Sequence, residues 1–159
     1  MEYLGNISLL DQLLRPSSGQ AVHGFLCSRC TKSSVILPCL DWAVEHAKGS
    51  EPVMSTFHSE LESAVLDMLI SGTCPIILVL GRRLYKKIPQ RLQPLLDANR
   101  LLIISLSDQS RISRESAFIC NKYICDNAKT LTFGFVSKES SLYSLYENAI
   151  AQGVKCDIL

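Results

Sequence analysis

The segment PIILVLG, residues 75–81, decides the fold class because five consecutive apolar residues lie between a proline and a glycine. Strands of parallel sheets that are covered by helices on both faces read as unbroken apolar runs of this kind. The run is also far too short to cross a bilayer. It therefore predicts a buried strand of an α/β domain.

The alternation of an apolar strand with an amphipathic helix repeats on both sides of this segment, and Gly49 and Gly72 are expected helix ends. Strands that alternate with helices predict βαβ units with right-handed crossovers. We therefore predict a three-layer, doubly wound Rossmann-like domain with a mostly parallel sheet of five to six strands. The predicted strands are residues 22–27, 53–57, 75–80, 101–105, 131–136 and 155–158, the first of them central in the sheet.

The first 20 of the 159 residues differ from the rest of the chain. They contain a short helix candidate, residues 7–14, which Pro16 and Gly19 close. A chain of this length is typical of one domain. The predicted organisation is an N-terminal arm or short helix over residues 1–20 and a Rossmann-like domain over residues 21–159.

The amino-acid composition limits which binding partners and which cellular location we expect. Sixteen basic and 15 acidic residues leave a net charge of +1, so any anion binding has to be local rather than driven by a global field. No signal peptide and no membrane-spanning run is found. We expect a soluble, cytoplasmic protein without a membrane partner.

Seven cysteines, an odd and scattered number, do not indicate a disulfide framework and suit a reducing compartment. The spacing Cys27-x-x-Cys30 could hold zinc or form a redox pair. No second pair follows, however, and the three histidines are dispersed. A buried free cysteine at position 27, no metal and no cofactor are the expectation.

Five loops follow the predicted strands: residues 27–34, 55–59, 81–83, 107–114 and 137–141. They are rich in hydroxyl groups, Arg and Lys, and three run into helix N-termini, where free N–H groups favour anions. Ligands of open α/β sheets bind at the carboxyl ends of the strands. Each Ser or Thr alone could be a helix cap, but the expected convergence of Arg29, Arg82 and Arg83 at one sheet edge favours a phosphate site.

The run His58-Ser59-Glu60, with Glu62 nearby, could be acid–base machinery. The preferred interpretation is that Ser59 caps the next helix and that the two glutamates favour its first turn. The sequence has no G-x-S-x-G elbow, Walker loop or G-x-G-x-x-G fingerprint. The common hydrolase, NTPase and dinucleotide signatures are therefore absent.

Residues 76–89 resemble the DNA-processing protein A (DprA, Smf) pattern of an apolar strand followed by G-C-G-L-D-x-x-Y-P, with Gly81, Leu84 and Pro89 matching. The other matching segments, which extend the resemblance over residues 21–159, are Cys27-Ser28-Arg29 for G-S-R, Ser55-Thr56 for S-G, Arg114 with Asn121-Lys122-Tyr123-Ile124 for R-N-R-I-I, Ser141-Leu142 for S-G-S-L, and residues 149–153 for A-L-x-x-G.

The resemblance implies the Rossmann-like fold of the Smf/DprA–LOG (SLOG) group, whose members bind single-stranded DNA, nucleotides or nucleotide-derived signals. It also implies that Ser28, Arg29, Asn121 and Lys122 border the phosphate site. Glycines of the family pattern are lost before Ser28 and at Thr56, Arg83 and Ser140, so a changed ligand geometry is expected. The full predicted ligand-binding set is Ser28, Arg29, Ser55, Thr56, Gly81, Arg82, Arg83, Arg114, Asn121, Lys122, Ser140 and Ser141.

The leading hypothesis is a stand-alone, non-enzymatic DprA/Smf-like domain that binds phosphate groups of single-stranded DNA or of a nucleotide, in DNA processing or uptake. The first alternative is a LOG-like nucleoside monophosphate phosphoribohydrolase. Its G-G-x-G-T-x-x-E motif is absent, and residues 137–141 are the nearest segment. The second is a ligand-free interaction module that forms a homodimer. The chain lacks the flanking helical and winged-helix domains of full-length family members, so a full recombination-mediator role is not expected.

Overall fold

The computed structural model describes residues 1–15, 20–29 and 32–159. Its strands are β1 (Glu2–Gly5), β2 (His23–Leu26), β3 (Val53–Ser55), β4 (Ile76–Leu80), β5 (Leu101–Ser105), β6 (Thr130–Phe133) and β7 (Lys155–Ile158). Its helices are α1 (Ser8–Leu14), α2 (Ser33–Ala47), α3 (Glu60–Ile70), α4 (Gln93–Asp97), α5 (Arg114–Asn127) and α6 (Ser141–Ala151), and a 3₁₀ turn (Gln90–Leu92) precedes α4. Within these ranges, every helix is too short or too polar to cross a membrane.

The strands form one sheet in the order β1-β5-β4-β3-β2-β6-β7. All neighbours pair in parallel except β1, which is antiparallel to β5. The predicted doubly wound α/β fold is therefore confirmed, while the predicted count of five to six strands is wrong, because the described residues form seven. The additional strand is β1, in the segment predicted as an arm or short helix. Its residues are mostly exposed, so no apolar run marks it.

Helices cover both faces of the sheet. Residues of α2, α3 and α4 form one buried cluster with the sheet, and residues of α1, α5 and α6 form the other. Ile76 and Leu78 belong to the first cluster, whereas Ile77 and Val79 belong to the second. Because successive side chains of a strand point to opposite faces, residues 76–80 must be apolar at every position.

The strand order reverses between β2 and β6. The chain builds β2, β3, β4 and β5 outward in one direction and then returns to place β6 on the other side of β2. At such a switch point the loops that follow the two strands diverge and leave a crevice outside their carboxyl ends. The predicted position of the first strand, β2, inside the sheet is confirmed, and the candidate site lies at its end.

Candidate functional site

A cavity of about 350 Å³ lies at the carboxyl ends of β2, β3 and β4, beside the switch point. Val79, Leu80 and Leu142 contribute apolar wall, and the loops contribute polar groups. The predicted ligand-binding residues that line the cavity are Ser28, Arg29, Thr56, Gly81, Asn121, Ser140 and Ser141. The structure therefore brings seven of the twelve predicted residues together around one space.

Ser55 lies outside the cavity although its neighbour Thr56 lines it. The Ser55 side chain is fully buried, and its Oγ accepts a hydrogen bond from the Phe57 N–H at 3.2 Å. Phe57 has a φ of 48°, a left-handed conformation that is uncommon for a bulky residue. Ser55 therefore supports the turn that follows β3 rather than facing a ligand.

Four predicted basic residues also lie outside the cavity: Arg82, Arg83, Arg114 and Lys122. The Arg82 guanidinium lies over the Tyr85 ring, 5.4 Å from its centroid, and Lys122 pairs with Asp126 on the surface of α5. Arg82 and Arg83 follow β4 at the same edge of the sheet as Arg29, but among these three arginines Arg29 is the one that lines the cavity. Any ligand contact of the other four residues stays a prediction for the surface outside the cavity.

A second cavity, of about 500 Å³, lies beyond the end of β5 and beside β1. Glu2, Asp108 and Glu115 line it, and none of the twelve predicted residues does. Three carboxylates around one space repel an anion. The smaller cavity is therefore the candidate for phosphate.

Ser28 joins the two loops that diverge at the switch point. Its Oγ accepts a hydrogen bond from the Ser137 N–H at 3.2 Å and lies 3.2 Å from the Ser140 Oγ. The Ser140 hydroxyl also donates to the Ser137 carbonyl at 2.8 Å, and the Ser28 N–H donates to the Phe135 carbonyl at 2.8 Å. The loop after β2 and the start of α6 are thus held as one unit.

Two helix N-termini reach the cavity, and they differ in capping. The Ser59 Oγ accepts a hydrogen bond from the Glu62 N–H at 3.2 Å, which confirms the predicted cap of α3. In contrast, the Ser140 side chain caps no N–H group of the described helix α6. The first N–H groups of a helix have no partner within the helix, and they bind anions well. The start of α6 therefore provides N–H donors at the cavity.

Glu62, which the sequence interpretation assigned to the helix dipole, is instead a buried group at the cavity. Glu62 is 5% exposed and lines the cavity, and its carboxylate accepts three hydrogen bonds. Oε1 accepts the Thr56 hydroxyl at 2.7 Å and the His58 N–H at 3.1 Å, and Oε2 accepts the Cys27 N–H at 3.1 Å. The carboxylate therefore ties the end of β2 to the loop after β3.

Burial raises the pKa of Glu62 above its ordinary value of 4.5, against the opposing effect of its hydrogen bonds. The folded state consequently binds this proton more tightly than the unfolded chain does. The stability that Glu62 contributes is then fully present below the unfolded pKa and is lost as the pH rises through the folded pKa.

We expect the free energy of unfolding of the wild type, relative to that of Glu62→Gln, to fall as the pH rises above about 4, the ordinary range of a glutamate carboxyl group. The physical reason is that the unfolded wild type releases this proton while the folded wild type retains it, and Glu62→Gln has no such proton. Urea unfolding of both proteins at several pH values measures the difference. A difference that grows with pH, or stays constant, would contradict the assignment.

Cys27 is a free, buried thiol at the cavity wall, as the sequence predicts. A hydrogen bond with the Cys39 thiol and burial raise the pKa of Cys27, so the group stays a neutral thiol. A neutral thiol is a poor zinc ligand and a poor nucleophile. Cys30, the other member of the C-x-x-C spacing, lies outside the described residues. Among the described residues, no three Cys, His, Asp or Glu side chains are grouped as a metal site would need.

Two solved structures share this arrangement of strands and helices. One is DNA processing protein A from Helicobacter pylori, studied for its single-stranded DNA binding mode, with a TM-score of 0.74 and 14% sequence identity. The other is DNA processing protein A from Streptococcus pneumoniae, with a TM-score of 0.73 and 16% identity. Each match covers 98% of this chain. This chain has the DprA fold.

The DprA fold of this chain accounts for only part of those proteins. The match spans 69% of the H. pylori chain and 53% of the S. pneumoniae chain. No protein-family model matches the sequence, and no curated protein matches it either. At 14 to 16% identity the similarity establishes the DprA fold, as the sequence resemblance predicted, and it does not by itself assign a ligand.

Proposed function

We propose that this chain is a DprA-like domain that binds phosphate groups of single-stranded DNA or of a nucleotide at the switch-point cavity. One observation carries the proposal: Arg29 and the uncapped N-terminus of α6 line the same cavity. A guanidinium and free helix N–H groups are donors that suit phosphate oxygens. The H. pylori protein with this fold binds single-stranded DNA, which supports the same ligand class here.

Arg29 is the residue whose loss tests the proposal. Its side chain is exposed, so it contributes little to the core. We expect Arg29→Ala to weaken binding of a labelled single-stranded oligonucleotide, or of a nucleotide, by about 1.5 to 3 kcal/mol, the range for a hydrogen bond to a charged group. We also expect binding to weaken as salt rises, because neutralised phosphates release counterions. Titrations at two salt concentrations measure both effects.

Lys48→Ala is the matched control for charge. Lys48 follows the end of α2, is exposed, and pairs with Glu45 at 2.9 Å. It does not line the cavity, so its replacement should leave affinity unchanged. Equal weakening by both substitutions would indicate diffuse electrostatics rather than a site. No binding at all by the wild type would favour the ligand-free interaction module, and release of a free base from a nucleoside monophosphate would favour the LOG-like enzyme.

A further inference from the structure

The charges that line the cavity are balanced rather than uniformly positive. Among the described lining residues, Arg29 is the one Arg or Lys and Glu62 is the one Asp or Glu. Arg29 is exposed, whereas Glu62 is almost completely buried. The cavity therefore has a positive charge at its solvent side and a carboxylate in its interior. A phosphate is attracted to the first position and repelled from the second.

The Glu62 carboxylate has capacity for one more hydrogen bond. Two carboxylate oxygens offer about four acceptor positions in total, and three of them take the Thr56 hydroxyl and the N–H groups of His58 and Cys27. Because Glu62 also lines the cavity, the remaining position is available to a donor on a ligand. The donor groups of a nucleoside are its sugar hydroxyls and its base amino or imino groups.

The remaining walls suit the uncharged part of a nucleotide. Val79, Leu80, Ile112, Ala117 and Leu142 line the cavity. Its volume of about 350 Å³ lies near the lower end of the range for small-molecule pockets. The cavity therefore has room for one nucleoside against apolar walls.

We propose that Glu62 determines the specificity of this cavity by accepting a hydrogen bond from a sugar hydroxyl or base amino group. The nucleoside then occupies the interior, while its phosphate stays near Arg29 and the start of α6. This inference rests on the proposed function, and it adds to it the orientation of the ligand and the group that recognises it.

The test compares ligands on the full chain at about pH 8, well above the ordinary range of a glutamate carboxyl group. The probes are adenosine 5′-monophosphate, its 2′,3′-dideoxy analogue, purine riboside 5′-monophosphate, which lacks the amino group, and inorganic phosphate. A ligand that lacks the donor group bound by Glu62 should bind about tenfold or more weakly than adenosine monophosphate, as for the loss of a hydrogen bond to a charged group. Loss with the dideoxy analogue identifies the sugar hydroxyls, and loss with purine riboside monophosphate identifies the base.

Glu62→Gln supplies the second readout. We expect it to weaken adenosine monophosphate about tenfold and to leave inorganic phosphate unchanged or bound more tightly, because a repelling charge is removed. A purely structural role would weaken both ligands together, which would overturn the proposal. Glu60→Gln, an exposed change in the same helical turn, is the control and should alter neither affinity.

The outcomes separate this inference from the proposed function. If the wild type binds an oligonucleotide but not adenosine monophosphate, or binds both analogues as tightly as the parent nucleotide, the inference is wrong while the proposed function stands. If the wild type binds no oligonucleotide, nucleotide or phosphate, both fail. If Glu62→Gln does not fold, as judged by circular dichroism, the series of analogues on the wild type decides alone.

Discussion

Replacing Glu62 with alanine is expected to lower the free energy of unfolding by about 3 kcal/mol or more. The substitution leaves the buried Cys27 N–H without its acceptor, and it also removes the acceptor of the half-buried Thr56 hydroxyl and of the His58 N–H, which water can partly replace. Each buried polar group that loses its partner costs about 1 to 3 kcal/mol. Removal of the desolvated carboxylate offsets part of this loss, so the total is smaller than the sum.

Urea unfolding of Glu62→Ala beside Glu60→Ala measures this effect. Glu60 stands two residues earlier in the first turn of α3 and is exposed, so its replacement should cost less than about 1 kcal/mol, the usual worth of a helix-dipole charge. Similar losses for the two variants would show that Glu62 acts as another first-turn glutamate. That result would also remove the basis for its role in the loops around the cavity.

Replacing Gly72 with alanine is expected to cost about 3 kcal/mol, at the upper end of the usual range for overpacking. A Cβ atom at this position would lie 2.2 Å from the Ala47 carbonyl oxygen and 2.6 Å from its carbonyl carbon. These are backbone atoms, and the same oxygen accepts the Thr73 N–H at 2.7 Å. Relief therefore requires the end of α2 to move away from the end of α3.

Gly49→Ala is the matched control in thermal or urea unfolding. The nearest atom to its added Cβ would be the His46 carbonyl oxygen at 3.5 Å, an ordinary contact, and its φ is outside the left-handed region. It should be neutral or stabilise the protein by about 0.4 to 1 kcal/mol through a less flexible unfolded chain. If Gly72→Ala is as well tolerated as Gly49→Ala, the two helices do not approach as closely as described.

The fold could be predicted from the sequence wherever a buried element appears as an apolar run or as an amphipathic pattern within a short segment. Leu101–Ser105 and Lys155–Ile158 have the predicted bounds. β1 shows no such pattern, because its pairing with β5 joins residues about a hundred positions apart and most of its residues are exposed. Gly72 does follow the end of α3, as predicted, but the close approach of Ala47 rather than a left-handed φ requires a glycine there.

The residues of the candidate site could be predicted only where the topology of the sheet alone determines which loops lie together. Ser28 and Ser140 follow β2 and precede α6, so topology alone brings them together. Arg82 and Arg83 also follow a strand, but the direction of their side chains depends on packing, such as that of Arg82 on Tyr85. Glu62 was missed because its partner Cys27 lies 35 residues away, and no spacing in the sequence indicates that contact.

The antiparallel strand β1 gives this domain protection against aggregation. All five residues of β5 are buried, and without β1 their outward N–H and C=O groups would be open to strands of other chains. β1 occupies that edge of the sheet as a short, exposed strand that begins at Glu2. At the opposite edge, β7 carries the charged residues Lys155 and Asp157. The first five residues therefore cover the edge of an apolar strand, and a deletion that removes them would favour insoluble assemblies over the folded protein.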